Sequence, residues 1–206
     1  HNTTAAGIIG VTGGSSGGAR ARGYDGSSQT AAVADTGIGG GTAATAHRDI
    51  PSSRIQAVLN YVGTTDTCFQ QIINDGAVDV DSGHGTHVAG SVLAGGDPTT
   101  GVGTGMAPSA RLVFQAVENY VIISNFCKSF LGYQDGYYLP GLSNLYGLFN
   151  DAYSQGARVH ANSWGSAAAG DYTANSATAD QFVWDRRDMT ITFSAGNSGA
   201  DVNADG

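Results

Sequence analysis

The sequence predicts an α/β chain in which a mainly parallel sheet carries helices on both faces. Three observations lead there. Short apolar runs bounded by Gly and Ser recur at residues 30–34, 111–117, 157–163 and 189–194, as strands covered on both sides require. Segments with helical spacing of apolar residues lie between them, at 84–96, 142–153 and 180–187. Strand–helix alternation of this kind builds parallel sheets.

Composition agrees. The 206 residues are 41% hydrophobic and 13% charged, which suits one well-buried globular domain rather than a disordered chain. The 32 glycines fall mostly in loops at 7–26, 37–41 and 95–105, with no fixed period. A net charge of -8 argues against nucleic acid and against anionic membrane surfaces as partners. No apolar stretch approaches the ~20 residues of a membrane span. The start, His1-Asn2-Thr3-Thr4, has neither an initiator Met nor an apolar signal core and reads as a processed terminus. Cys68 and Cys127 fit either one disulfide or two buried thiols.

In chain order, residues 1–26 read as polar loop around Ile8-Ile9-Gly10-Val11. The first strand, 30–34, ends on Asp35-Thr36-Gly37, so an acid sits at a strand's carboxyl end, where chemistry gathers in open α/β sheets. Residues 55–62 alternate, with Ile55, Ala57, Leu59 and Tyr61 expected on one face. A polar connection at 64–81 leads to Asp81-Ser82-Gly83-His84-Gly85-Thr86-His87-Val88-Ala89-Gly90. Its glycines permit a tight turn into a helix of small residues, expected to be buried on most sides. That entry holds His84 at a mouth, and histidine is the side chain that moves protons near neutral pH. His87, continuing into the apolar helix, reads as a hydrogen-bonded core residue. After the strand at 111–117, an aromatic insert runs over 118–140. Ser143 or Gly141 would start the next helix, and Gly156 would end it.

Three strand ends then carry polar groups in the carboxyl direction: Asp35, Asn162-Ser163, and Ser194 to Asn197. Parallel strands bring all three to one edge. Each alone has a bland reading, as a turn or cap residue; together they point to a site. His84-x-x-His87 with Asp79 and Asp81 could instead be a metal cluster, completed by His47 or His160. Gly101-Val102-Gly103-Thr104-Gly105 lacks the strand–turn–helix setting of a dinucleotide loop.

Ala34-Asp35-Thr36-Gly37-Ile38 followed by Gly83-His84-Gly85-Thr86-His87-Val88-Ala89-Gly90 resembles the Asp and His boxes of the subtilisin-like serine proteases. Gly105-Met106-Ala107-Pro108, Asn162-Ser163-Trp164-Gly165 and Ser194-Ala195-Gly196-Asn197-Ser198-Gly199 resemble that family's later motifs, in family order. Val33-Ala34-Asp35-Thr36-Gly37, Leu112-Val113-Phe114-Gln115 and Ala161-Asn162-Ser163-Trp164-Gly165 further resemble its oxidatively stable alkaline branch.

The resemblance implies a three-layer, doubly wound, mainly parallel sheet, incomplete in this chain, with residues 1–206 as the amino-terminal portion of a single peptidase domain. It implies Asp35 and His84 as triad members and Asn197 as oxyanion donor. It places substrate against Ser163, Trp164, Gly165, Ser194, Ala195 and Gly196, in an uncharged slot suited to aromatic or large apolar side chains. Catalysis would need no cofactor and no metal. Structural calcium is common in the family, but Asp75, Asp79 and Asp81 read as solvated loop carboxylates. Secretion follows from the same resemblance.

One departure matters. The family's Gly-Thr-Ser-Met-Ala nucleophile box is absent from this sequence. The expectation is a serine endopeptidase whose serine lies on a companion segment, with 202–206 as an exposed loop open to nicking. A catalytically dead pseudo-protease acting as a binding module, or a metal-dependent hydrolase, are the alternatives.

Overall fold

The computed structural model describes residues 2–197 apart from 14–16, 143, 167 and 169. Ser143, Ser198, Gly199 and the loop at 202–206 lie outside the described residues. The elements in order are α1 (Asn2–Ile8), α2 (Gly18–Ala21), β1 (Thr30–Asp35), β2 (Ile55–Asn60), β3 (Phe69–Ile73), α3 (His84–Leu93), β4 (Arg111–Ala116), β5 (Asn119–Ile123), α4 (Asn125–Leu131), β6 (Gly136–Tyr138), α5 (Leu145–Ser154), β7 (Val159–Asn162), α6 (Ala174–Asp185) and β8 (Thr190–Phe193). Two 3-10 turns, Ala43–Thr45 and Ser52–Arg54, precede β2.

The main sheet has five strands in the order β2-β4-β1-β7-β8, and every pairing in it is parallel. Alternation along each strand sends side chains to two cores. Val33, Leu112, Phe114 and Ala116 pack with Ala89 and Leu93 of α3 on one face. Ala34 meets Leu148 and Phe149 of α5 and Phe182 of α6 on the other, where Ala32 and Val113 also meet Ala152 of α5. The result is the three-layer, mainly parallel α/β arrangement that the sequence predicts.

Register fixes what shares an edge. Asp35 lies opposite Ala116, Ala34 opposite Asn162, and Asn162 opposite Phe193. The carboxyl ends of β4, β1, β7 and β8 are therefore level, and Asp35, Ser163 and Ser194 emerge side by side.

Several expectations change. Residues 2–8 and 18–21 form short helices rather than loop. Ile55 and Ala57 do not share a face. The register slips between them, Ile55 facing Leu112 and Ala57 facing Val113, so Gln56 is the extra residue of a bulge. Ile55 and Val58 then pack toward α3, while Ala57 and Leu59 pack toward α5. The polar connection at 64–81 contains β3, which pairs antiparallel with β5, and β5 pairs antiparallel with β6. This second sheet takes up the aromatic insert. It buries Val121 and Ile123 beneath α4, and a Cys68–Cys127 disulfide ties β3's entry to that helix. Asn144 caps α5, its side chain accepting from Gly147 N at 2.7 Å. The last helix starts six residues earlier than its apolar spacing suggests, at a Thr173–Ser176 capping box.

Candidate active site

The acid and the base meet across 49 residues of sequence. His84 is the first residue of α3, and its Nδ1–H donates to Asp35 Oδ1 at 2.6 Å. The carboxylate can only accept, which fixes the tautomer with Nδ1 protonated. Asp35 is 2% exposed and the His84 side chain 49% exposed, so a buried carboxylate holds a half-exposed imidazole. Thr36 N also donates to Asp35 Oδ1, at 2.8 Å. Among the described residues Asp35 Oδ2 is buried without a hydrogen-bond partner. Among the described residues nothing hydrogen-bonds His84 Nε2.

Two glycines allow this approach. Gly83, before the helix, has φ +69°, which suits a residue without Cβ. A Cβ on Gly85 would sit 2.3 Å from Gly37 O. The helix start can therefore lie directly on the strand-end turn only because Gly85 lacks a side chain.

The sequence reading missed the network behind the pair. Asp79, expected as a solvated carboxylate, accepts from Thr36 Oγ1 at 2.8 Å. Its other oxygen accepts from Thr86 N at 2.8 Å and from Thr86 Oγ1 at 2.5 Å. Thr36 Oγ1 accepts from Gly85 N at 2.9 Å, and Thr86 Oγ1 from Gly39 N at 2.8 Å. The legible signal was a hydroxyl residue just after the acid and another two past the base; nothing in the pattern linked them to Asp79.

The substrate-side residues fall at the same edge. Trp164 Nε1 donates to Ala34 O at 3.0 Å, laying the indole against the end of β1, and its ring meets Phe193 edge-on at 5.6 Å. Ser194 N donates to Asn162 O at 3.0 Å, carrying the β7–β8 pairing one residue further. Ser163 is half-buried and Gly165 exposed, as are Ser194, Ala195, Gly196 and Asn197. A cavity of about 510 Å³ opens here, lined by Trp164, Gly165, Phe193, Val117, Leu142 and Leu145 among others. Of the expected slot residues Trp164 and Gly165 line it, while Ser163 and Ser194 to Gly196 do not. Asp171 and Asp180 do, so the expected absence of charge does not hold for this cavity.

Two further carboxyl and imidazole groups are perturbed. Glu118, just past β4, is 8% exposed. Burial pushes its carboxyl up to about 7, and Asp81, Asp79, Asp75 and Asp35 add to the rise. His160 is fully buried, and that burial lowers its pKa to about 3. The neutral ring accepts from Asn162 Nδ2 at 3.0 Å and donates from Nε2 to Gln115 Oε1 at 2.8 Å. Gln115 in turn donates to Tyr61 OH, and Tyr61 to Asp151.

The histidines of the metal alternative are dispersed. His87 is exposed on α3 rather than packed in the core, because only Gly85, Ala89 and Leu93 of that helix form the buried stripe. It lines a cavity of about 450 Å³ with His47 and Asp49, beside the helix. His160 lies in the α5-side core, its ring edge-on to Phe149. Among the described residues no group of three or more His, Cys, Asp or Glu is placed to hold a metal ion.

Comparison with known proteins follows this geometry. A serine protease/ABC transporter B family protein of Dictyostelium discoideum, tagA, is 30% identical over 127 residues, 61% of this chain and 6% of that protein. A second, tagD, is 28% identical over 84% of this chain and 9% of its own length. The chain thus spans under a tenth of these curated relatives. Among solved structures, MycP1 from the ESX-1 type VII secretion system superposes with a TM-score of 0.50 at 22% identity, over 88% of this chain and 44% of that one; the likeness is one of fold. Fervidolysin from Fervidobacterium pennivorans, a keratinolytic enzyme related to subtilisin, gives 0.47 at 21% identity over 88% of this chain and 23% of its own. The subtilase family profile matches residues 26–206, and the chain belongs to the subtilase family.

Proposed function

We propose that this chain supplies the acid, the base and the oxyanion donor of a serine endopeptidase. The observation that carries the reading is the Asp35–His84 hydrogen bond, a buried carboxylate on a half-exposed imidazole. Through Nε2, His84 takes the proton of an attacking serine hydroxyl and later gives it to the leaving amine. Asp35 holds the ring and stabilises the imidazolium that forms. The Asn197 side-chain NH₂ donates to the oxyanion of the tetrahedral intermediate. The serine lies outside residues 1–206, since none of the serines present stands in the family's nucleophile box; residues 1–206 are then the amino-terminal portion of one catalytic domain, completed by a companion segment. The reaction needs no cofactor.

Substrate binds as an extended strand along the exposed ends of β7 and β8. The resemblance of Ser163-Trp164-Gly165 and Ser194-Ala195-Gly196 to the family's pocket segments supports acceptance of aromatic or large apolar side chains; the adjoining cavity presents Trp164 and Phe193 together with Asp171 and Asp180. The Cys68–Cys127 disulfide supports a secreted protein, because disulfides persist in oxidising compartments.

The test is hydrolysis of an unstructured protein such as casein by the complete protein, its serine-bearing segment included, and by its His84→Ala variant. Activity that disappears with His84 and survives zinc-selective chelation supports the proposal. Activity abolished by chelation and restored by zinc assigns a metal hydrolase instead. Peptide binding without hydrolysis assigns a pseudo-protease.

A further inference from the structure

We propose that Asp79 is the positioning residue of the acid–base pair: its carboxylate ties the turn beside Asp35 to the first turn of α3 and so holds His84 Nδ1 within reach of Asp35. The inference rests on reading Asp35 and His84 as that pair.

The two partners start from unequal footing. Asp35 is fixed by a strand paired on both sides, with β4 and β7. His84 is half-exposed and stands at a helix terminus, where backbone N–H groups lack intrahelical partners. The residue that would ordinarily cap them is Gly83, which has no side chain to offer. Capping therefore comes from elsewhere. Ser82 Oγ accepts from His84 N at 3.2 Å, Thr36 Oγ1 from Gly85 N, and Asp79 Oδ2 from Thr86 N. Two of these three caps belong to the strand-end side of the site or are bonded to it. A carboxylate at this position is also favoured by the helix dipole.

The bonds close a ring: Asp79 to Thr36, Thr36 to Gly85, along the helix to Thr86, and back to Asp79. Thr36 adjoins the acid and Gly85 adjoins the base, so the ring fixes the backbones on both sides of the 2.6 Å contact. Asp79 is itself fastened to the loop after the acid. Asp79 N donates to Gly39 O at 3.0 Å, and Ile38 N to Ala77 O at 2.9 Å. A Cβ on Gly37 would meet Val78 O at 2.6 Å and Asp79 Cα at 2.7 Å, which shows how closely the two segments lie. No atom of this ring need touch substrate; Asp79 acts through His84.

The experiment compares the complete protein, its serine-bearing segment included, with its Asp79→Ala and Thr36→Val variants. Three readouts are taken: the downfield ¹H resonance of the His84 Nδ1–H, the split between kcat and KM, and amide exchange in β1 and β4. Asp79→Ala should abolish or shift the resonance and lower kcat by up to about 10²-fold, the scale of a misplacement near 1 Å. KM and the exchange protection of the strands should stay as they are. Thr36→Val keeps the Asp79 cap on Thr86 but cuts the tie to the acid's turn, and should lower both resonance and kcat by less. It carries the test alone if Asp79→Ala does not fold. Unchanged resonance and kcat in the folded variants overturn the inference, as does a loss confined to KM. If hydrolysis proves independent of His84 while the resonance still answers to Asp79, it is the peptidase reading that has failed and not this one.

Discussion

His84 Nδ1 stands 2.6 Å from Asp35 Oδ1 although the carboxylate is almost wholly buried and the imidazole half-exposed. The difference in exposure gives the pair a direction. The carboxylate is fixed and buried, with no partner on Oδ2 among the described residues; the imidazole is half-exposed. A proton accepted at Nε2 is stabilised from behind by a charge that water cannot screen.

Replacing the acid should therefore act on turnover. Asp35→Asn preserves shape but presents an amide that can donate to Nδ1, favouring the wrong tautomer. The expected loss in kcat is about 10⁴-fold, with little change in melting temperature. Steady-state hydrolysis of a peptide substrate checks it; a loss below tenfold would mean that Asp35 does not orient the base.

Asn197 should behave as a donor used only in the transition state. Asn197→Leu is expected to lower kcat by about 10²–10³-fold and leave KM nearly unchanged. The same kinetics decide the case: a rise in KM with kcat intact assigns Asn197 to pocket shape alone.

Glu118 makes stability depend on pH in an unusual sense. Its folded-state value, about 7, lies above the ordinary 4.5 because burial and then four carboxylates disfavour the charge. Between those values the native state binds more protons than the unfolded state, so stability falls as pH rises through the window and levels off above it. The loss is up to about 3 kcal/mol. His160 works oppositely: with its folded-state value near 3, the stability it contributes at neutral pH is lost as pH falls from 6.5 toward 3. Urea unfolding of wild type and Glu118→Gln at pH 5 and pH 8 isolates the first effect. The variant should be the less pH-sensitive at the alkaline end; identical profiles contradict the assignment.

The disulfide closes a separation of 59 residues, for which the chain-entropy scale gives about 4 kcal/mol. Reduction should lower the urea midpoint, and amide exchange should rise first in β3, β5 and β6, whose small apolar core it staples. Uniform loosening of both sheets would show that the second sheet has no separate dependence on the bridge.

The sequence was most legible where burial is symmetrical. β1 and β4 are continuous apolar runs because both faces are covered, and their limits agree closely with expectation. Asp35, Ser163 and Ser194 could be placed on one edge because parallel strands share a polarity. It was least legible where structure rests on polar bonds. β3 contains Phe69-Gln70-Gln71 and shows no apolar run, since only one face is covered. The start of α6 is set by the Thr173–Ser176 box, ahead of any periodic apolar residue. The bulge at Gln56 sets Ile55 on the face opposite Ala57, Leu59 and Tyr61. Asp79 carries no signal of its own, because its role depends on two hydroxyls brought near by the fold.

The most direct measurement is fluorophosphonate labelling of the purified protein, followed by denaturing gel and intact mass, with His84→Ala in parallel. The account predicts a label on a serine outside residues 1–206, absent from the peptides of this chain and lost or greatly slowed in His84→Ala. A label on a serine within residues 1–206, labelling indifferent to His84, or a complete protein that neither labels nor cleaves, would contradict it.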